Sequence, residues 1–101
     1  MPFVVVKTDE FAEIFSSLDE DIKVWIRKIT CHLEINPGVG KPLGFRWFRE
    51  KKFNDKRLYY LVYNEINKVL LVGFSGKKDQ EKIISHILQN LERYNRIAGK
   101  S

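Results

Sequence analysis

The stretch Asn36-Pro37-Gly38-Val39-Gly40-Lys41-Pro42 divides this chain into two halves with different periodicities. Pro37 has no amide hydrogen and cannot continue a helix, and two glycines and a second proline follow it. Upstream, Phe11, Ile14, Phe15 and Leu18 recur at helical spacing, as do Ile22, Trp25, Ile26, Ile29 and Leu33. Thr8 or Asp9 offers a cap for the first helix, and Asp19 and Asp21 open the second, so the pair reads as a helical hairpin broken near Leu18–Glu20. Phe3–Lys7, ahead of both, is β-branched and apolar at consecutive positions and reads as a buried strand.

Downstream the pattern changes to strands. Phe45–Phe53, Arg57–Tyr63 and Val69–Ser75 form a meander, turning at Asn54-Asp55 and Asn64–Asn67. Gly76 ends it, and Lys78–Tyr94 is amphipathic, with Ile84, Ile87, Leu88 and Leu91 on one side. Residues 95–101 read as a frayed polar tail. The order β-α-α-β-β-β-α, over one domain of residues 1–101, predicts an α+β fold. Its sheet is twisted and mainly antiparallel, with the helical hairpin on one face and the other face open.

The apolar runs Phe3–Val6 and Val69–Phe74 are far too short to span a bilayer, and Pro2–Val6 has neither the basic flank nor the cleavage site of a signal peptide. A cytoplasmic protein without membrane attachment is expected. Cys31 stands alone, which leaves no intrachain disulfide and no thiolate metal set, and reads as a small apolar filler. No metal and no cofactor are expected.

The net charge of +5 is unevenly spread. Met1–Ile35 holds 4 Lys+Arg and 7 Asp+Glu, whereas Lys41–Arg57 holds 7 Lys+Arg against only Glu50 and Asp55. Side chains on a strand alternate between faces. Leu58, Tyr60 and Val62 suit the core, which turns Arg57, Tyr59, Leu61 and Tyr63 to the open side. On the preceding strand, Phe48 suits the core, which turns Trp47, Arg49 and Lys51 outward, with Lys52 as an alternative near the turn. Lys77 and Lys78 follow the last strand. Arg49, Lys51, Arg57, Lys77 and Lys78 are thus expected to converge, with Trp47 and Tyr59 between them. Cations track phosphates and aromatic rings stack on bases. The plain alternative is a solvated basic sheet edge. His32 and His86 lie on separate helices without catalytic partners, Trp25 reads as core, and Gly38 and Gly40 do not complete a phosphate loop. Val24, Cys31 and Ile35 form a second apolar stripe on the second helix, open to a neighbouring helix or a partner.

Three motifs carry a family resemblance. Asn36–Leu43 resembles the loop after the helical hairpin of the RelE/ParE toxins. Lys56-Arg57-Leu58-Tyr59-Tyr60-Leu61-Val62-Tyr63 resembles their central strand, with Lys56 where an aromatic usually leads. Lys68–Lys78 resembles their last strand and the basic pair after it. The resemblance implies the toxin of a toxin–antitoxin pair, held silent by a small antitoxin, and the basic face leads us to expect that antitoxin to be acidic. RelE-like members cut mRNA on the ribosome without metal, the ribose 2′-OH attacking the adjacent phosphate. It assigns catalysis to Arg57, to Lys51 or Lys52, and to Lys77 or Lys78, with Arg49, Trp47 and Tyr59 binding RNA. ParE-like members inhibit gyrase instead, and a RelE-like protein that binds RNA or ribosomes without cleaving is a third reading. RelE-like enzymes often carry a tyrosine or histidine soon after the basic pair. Here Ile83 and Ile84 stand there, so a proton donor has to come from elsewhere, such as Tyr59.

Overall fold

The structure, a computed structural model, describes residues 2–101. Its strands are β1 (Val4–Lys7), β2 (Lys41–Phe45), β3 (Phe48–Phe53), β4 (Lys56–Tyr63) and β5 (Lys68–Gly76). Its helices are α1 (Asp9–Ser16), α2 (Glu20–Ile35), α3 (Gln80–Gln89) and α4 (Leu91–Lys100). Single 3-10 turns occupy Pro37–Val39, Asn64–Ile66 and Lys77–Asp79. The sheet runs β1-β5-β4-β3-β2, with β1 parallel to β5 and every other pair antiparallel. The fold is α+β with an open sheet, as the sequence predicts.

The first half forms as its local signals dictate. The Thr8 hydroxyl accepts a hydrogen bond from the Phe11 amide at 3.0 Å and caps α1. Phe11, Ile26, Ile29 and Leu33 pack against Leu58, Tyr60, Val62, Val69 and Leu71 of the sheet, and Trp25 stacks on Phe53. The proline-glycine loop is anchored to this layer by one side chain. The Tyr60 hydroxyl donates to the Pro37 carbonyl and accepts from the Gly40 amide, both at 2.8 Å. A Cβ at Gly40 would sit 2.5 Å from the Glu50 carbonyl oxygen and 2.6 Å from the Tyr60 hydroxyl. Gly40 therefore serves close packing.

Four expectations need correction. The second sheet face is not open: Phe48, Tyr59, Leu61, Leu70 and Val72 form a second core with Ile87 of α3 and Tyr94 of α4. Gly73 lets α3 sit close to the sheet there, since a Cβ would lie 3.3 Å from Ile83 and 3.5 Å from Ile87. The register shift opposite Tyr59/Tyr60 adds Val72 to the same layer. Residues 95–101 are not a frayed tail, because α4 runs to Lys100 and buries Tyr94 and Ala98, while Lys68 Nζ holds the Ala98 carbonyl at 2.9 Å. The strand expected over Phe45–Phe53 is two strands turning at Arg46-Trp47, so the sheet gains β2. Cys31 is exposed on α2 and fills no core space. Val24 and Ile35 beside it are exposed as well, so the stripe faces away from the sheet.

Candidate functional site

Two cross-strand rows on the α3/α4 side define the site. Lys52, Arg57 and Ser75 are direct neighbours across β3, β4 and β5, and Glu50, Tyr59 and Gly73 form the next row. Neighbours in such rows hold their side chains about 5 Å apart on one face. The Arg57 side chain is 8% exposed, that of Glu50 is 3% exposed, and Arg57 Nε lies 3.4 Å from Glu50 Oε1. Gln80, the first residue of α3, donates from Nε2 to the same carboxylate oxygen at 2.9 Å. Arg57 Nε and Nη1 have no hydrogen-bond partner. The guanidinium is thus ion-paired with Glu50 and keeps donor capacity, at Nη1 above all, for a second anion.

Cations surround this pair. Lys52 is exposed beside Arg57. Lys77 and Lys78 are exposed on the turn between β5 and α3, where they line a shallow groove with Asp55, Lys56, Gly76 and Asp79. The N-terminus of α3 adds its positive pole at Gln80. The arrangement combines a fixed guanidinium, mobile ammonium groups and one carboxylate able to take a proton.

The expected constellation is not assembled as one set. Arg57, Lys52, Lys77 and Lys78 gather at this end of the sheet. Arg49 and Lys51 do not: they pair with Tyr60 and Leu58, so they point to the α1/α2 side. Phe48 sets this phase. It belongs to the second core, opposite Leu61, and so carries Glu50 and Lys52 to the Arg57 face. Tyr59 is fully buried and offers no ring to a base. Its hydroxyl lies 3.0 Å from Ser75 Oγ, which in turn donates to the Gly76 carbonyl, so Tyr59 is the donor of the pair. Burial pushes the Tyr59 phenol above its usual range, and the Ser75 bond only partly offsets this. Trp47 sits at the β2–β3 turn, half-buried against the second core. His86 pairs with Glu10 at 3.7 Å, and Arg93 bonds the same carboxylate, which ties α1 to α3 and α4. Glu50 and Gln80 were missed by sequence reasoning. Glu50 carried a signal, as one of two acids among seven cations; Gln80 carried none, because only the fold brings it there.

No family model matches the chain, and no curated protein matches it. Solved structures do. A double mutant of the Escherichia coli toxin RelE in the free state superposes with a TM-score of 0.76 at 17% identity, over 89% of this chain and 98% of that one. The toxin–antitoxin complex RelBE2 of Mycobacterium tuberculosis matches with a TM-score of 0.66 at 21% identity, over 76% and 100% of the two chains. The archaeal RelE–RelB complex of Pyrococcus horikoshii matches with a TM-score of 0.66 at 15% identity, over 76% and 97%. The chain has the fold of the RelE toxins.

Proposed function

We propose that this protein is the toxin of a toxin–antitoxin pair, a metal-independent endoribonuclease that cuts mRNA on the ribosome. The observation that supports the reading is the buried guanidinium of Arg57, ion-paired through Nε with Glu50 and with Nη1 making no hydrogen bond among the described residues, at the cationic end of a RelE-type sheet. In the reaction the ribose 2′-OH gives its proton to Glu50, its oxygen attacks the adjacent phosphorus, and the P–O5′ bond breaks as the 5′-oxygen takes a proton from one of the ammonium groups of Lys52, Lys77 or Lys78. Arg57 holds the phosphate as charge builds on it, and Lys52, Lys77 and Lys78 offset that charge from the exposed side. Glu50 is the proton acceptor of this site. RNA enters by drawing Arg57 away from Glu50, because both are covered in the free protein.

The partner is an acidic antitoxin with an amphipathic helix. The net charge of +5, the exposed stripe Val24, Cys31 and Ile35 on α2, and the RelB-bound neighbours support this. Co-purification from the native operon tests it.

One observation favours a second reading, an RNA-binding protein without cleavage: Glu50 neutralises the one arginine best placed to act. Expression in a translating extract, followed by primer extension on a reporter mRNA, separates the two. The nuclease reading expects discrete cuts that disappear with Arg57→Lys and weaken by about 10²-fold or more with Glu50→Gln. Ribosome binding with an uncut reporter would leave the binding reading standing.

A further inference from the structure

The β2–β3 hairpin ends in Phe45-Arg46-Trp47, and Phe45 pairs with Phe48 across the turn. Gly44 adopts φ +90° just before it, in open space, and bends the strand there. Three rings follow one another at this tip. Phe45 and Trp47 stack at 4.6 Å with 20° between their planes, and Trp47 and Phe48 lie 6.4 Å apart at 22°. Burial falls outward along the run. Phe48 is fully buried, Trp47 leans on the same core, and Phe45 is 47% exposed. The tip thus presents a ring propped on a rigid base, with little freedom left to lose on binding.

Two arginines stand at the turn. Arg46 is exposed, and Arg49 Nη1 donates to the Arg46 carbonyl at 3.3 Å, while Lys41 lies at the other end of β2 and Glu65 lines a pocket with Trp47. No acidic residue occurs between Lys41 and Arg49. The tip also lies on the Arg57 side of the sheet, because Phe45 pairs with Phe48, Phe48 with Leu61, and Leu61 alternates in phase with Arg57. Lys52 lies four residue steps along β3 from Phe48, a span of about 13 Å.

We propose that Phe45, flanked by Arg46, is a base-stacking platform for single-stranded RNA, seating a nucleotide beyond the one whose phosphate Arg57 holds. The inference rests on RNA being the ligand, as proposed above, and not on cleavage. Every base has a π-face, so a propped phenyl ring takes any of them, while the neighbouring cations follow the phosphates. The sequence points to Trp47 for this task. The structure turns Trp47 into the support and leaves Phe45 as the free ring.

A partner protein is the competing occupant, and it reads Phe45 as apolar bulk, whereas RNA reads it as a ring. The intact protein is titrated into a labelled 2′-O-methyl oligoadenylate, which has no free 2′-OH and cannot be cut, and affinity is read by fluorescence anisotropy. Phe45→Leu is expected to weaken binding about tenfold with an unchanged salt slope, and Phe45→Tyr to keep parental affinity. Arg46→Ala weakens binding and lowers the slope of log affinity against log salt by about one. Circular dichroism and thermal melting check that each variant is folded. Parental affinity in Phe45→Leu, equal losses in Phe45→Leu and Phe45→Tyr, or no binding by the parent protein at low salt would each overturn the platform. Primer extension on the same variants keeps the two readings apart. Cleavage by the parent with no Phe45 effect sinks only the platform, and the Phe45 pattern without any cleavage sinks only the nuclease.

Discussion

Arg57 and Glu50 are so deeply covered that removing one strands the other. Breaking a buried ion pair in this way ordinarily costs about 3–5 kcal/mol. Two features place Arg57→Ala at the lower end. Gln80 still donates to the Glu50 carboxylate at 2.9 Å, and the guanidinium gives up two nitrogens that had no hydrogen-bond partner. A loss of about 3 kcal/mol is expected, which at roughly 4–8 °C per kcal/mol for a domain of this size lowers Tm by more than about 10 °C. Replacing both residues with methionine, apolar and of similar length, removes the desolvated charges together. That double variant is expected to be close to the parent in stability or above it.

Urea unfolding of the parent, the two single methionine variants and the double variant yields the coupling directly. Single effects that add to within about 0.5 kcal/mol would refute the argument, because they would mean that the two charges do not meet in a dry interior. The cycle also bears on function. Arg57→Ala confounds chemistry with folding, since the residue expected to be exposed is buried. A stable double variant that no longer cuts mRNA shows a pair kept for chemistry, and one that still cuts removes Arg57 and Glu50 from the mechanism.

Lys52→Ala is expected to reduce cleavage in the primer-extension assay while Lys51→Ala leaves it unchanged, since adjacent residues of β3 point to opposite faces; equal effects would void the face assignment. Gly40→Ala forces a Cβ onto the Glu50 carbonyl oxygen and the Tyr60 hydroxyl and should cost about 1–3 kcal/mol or more in urea unfolding, whereas parental stability would show that the loop is not anchored as described. All four tyrosines, Tyr59, Tyr60, Tyr63 and Tyr94, titrate above their ordinary value, burial being the first cause in each, with Tyr63 pushed up to about 12. A raised phenol favours the folded state while it stays protonated, so this stability is complete below about pH 10 and is lost as pH climbs through the folded values. Tyrosinate absorbance and circular dichroism should therefore change together on alkaline titration, and a phenol ionising at an ordinary pH in folded protein would contradict its burial.

Local signals were legible in the sequence because local physics decides them. Thr8 caps α1, Pro37 ends α2, and Leu58, Tyr60 and Val62 alternate into the first core as their spacing requires. Assignments that depended on the number of covered faces went astray. With one core in mind, Phe48 belongs under α1 and α2, and Arg49 and Lys51 then face the site. With a second core beneath α3 and α4, Phe48 pairs with Leu61 and the phase of β3 reverses. The helix that completes that second core is hard to read, because Leu91, Tyr94, Ile97 and Ala98 are interleaved with Glu92, Arg93, Asn95 and Arg96. Strand β2 was hidden by Pro42 and Gly44, residues that ordinarily argue against a strand.

With RNA as the ligand, as proposed above, the same phase reversal sets how it would approach Arg57. β2 pairs with β3 only as far as Glu50, so Lys51, Lys52 and Phe53 form a free edge of the sheet. From that edge, Lys52 is the first cation on the Arg57 face, and Arg57 lies one strand further in. On the opposite flank Gln80 and the start of α3 stand over Glu50. On the proposed reading a phosphate would meet Lys52 before it reached Arg57, and the exposed ammonium of Lys52 would guide it without having to be desolvated first. Separating Arg57 from Glu50 then demands a competing anion of at least equal field, which a phosphate supplies and a neutral ligand does not. Under the proposed function the buried ion pair would act as a selectivity element. It keeps the guanidinium covered in the free protein and would yield it to an anion delivered along the edge marked by Lys52.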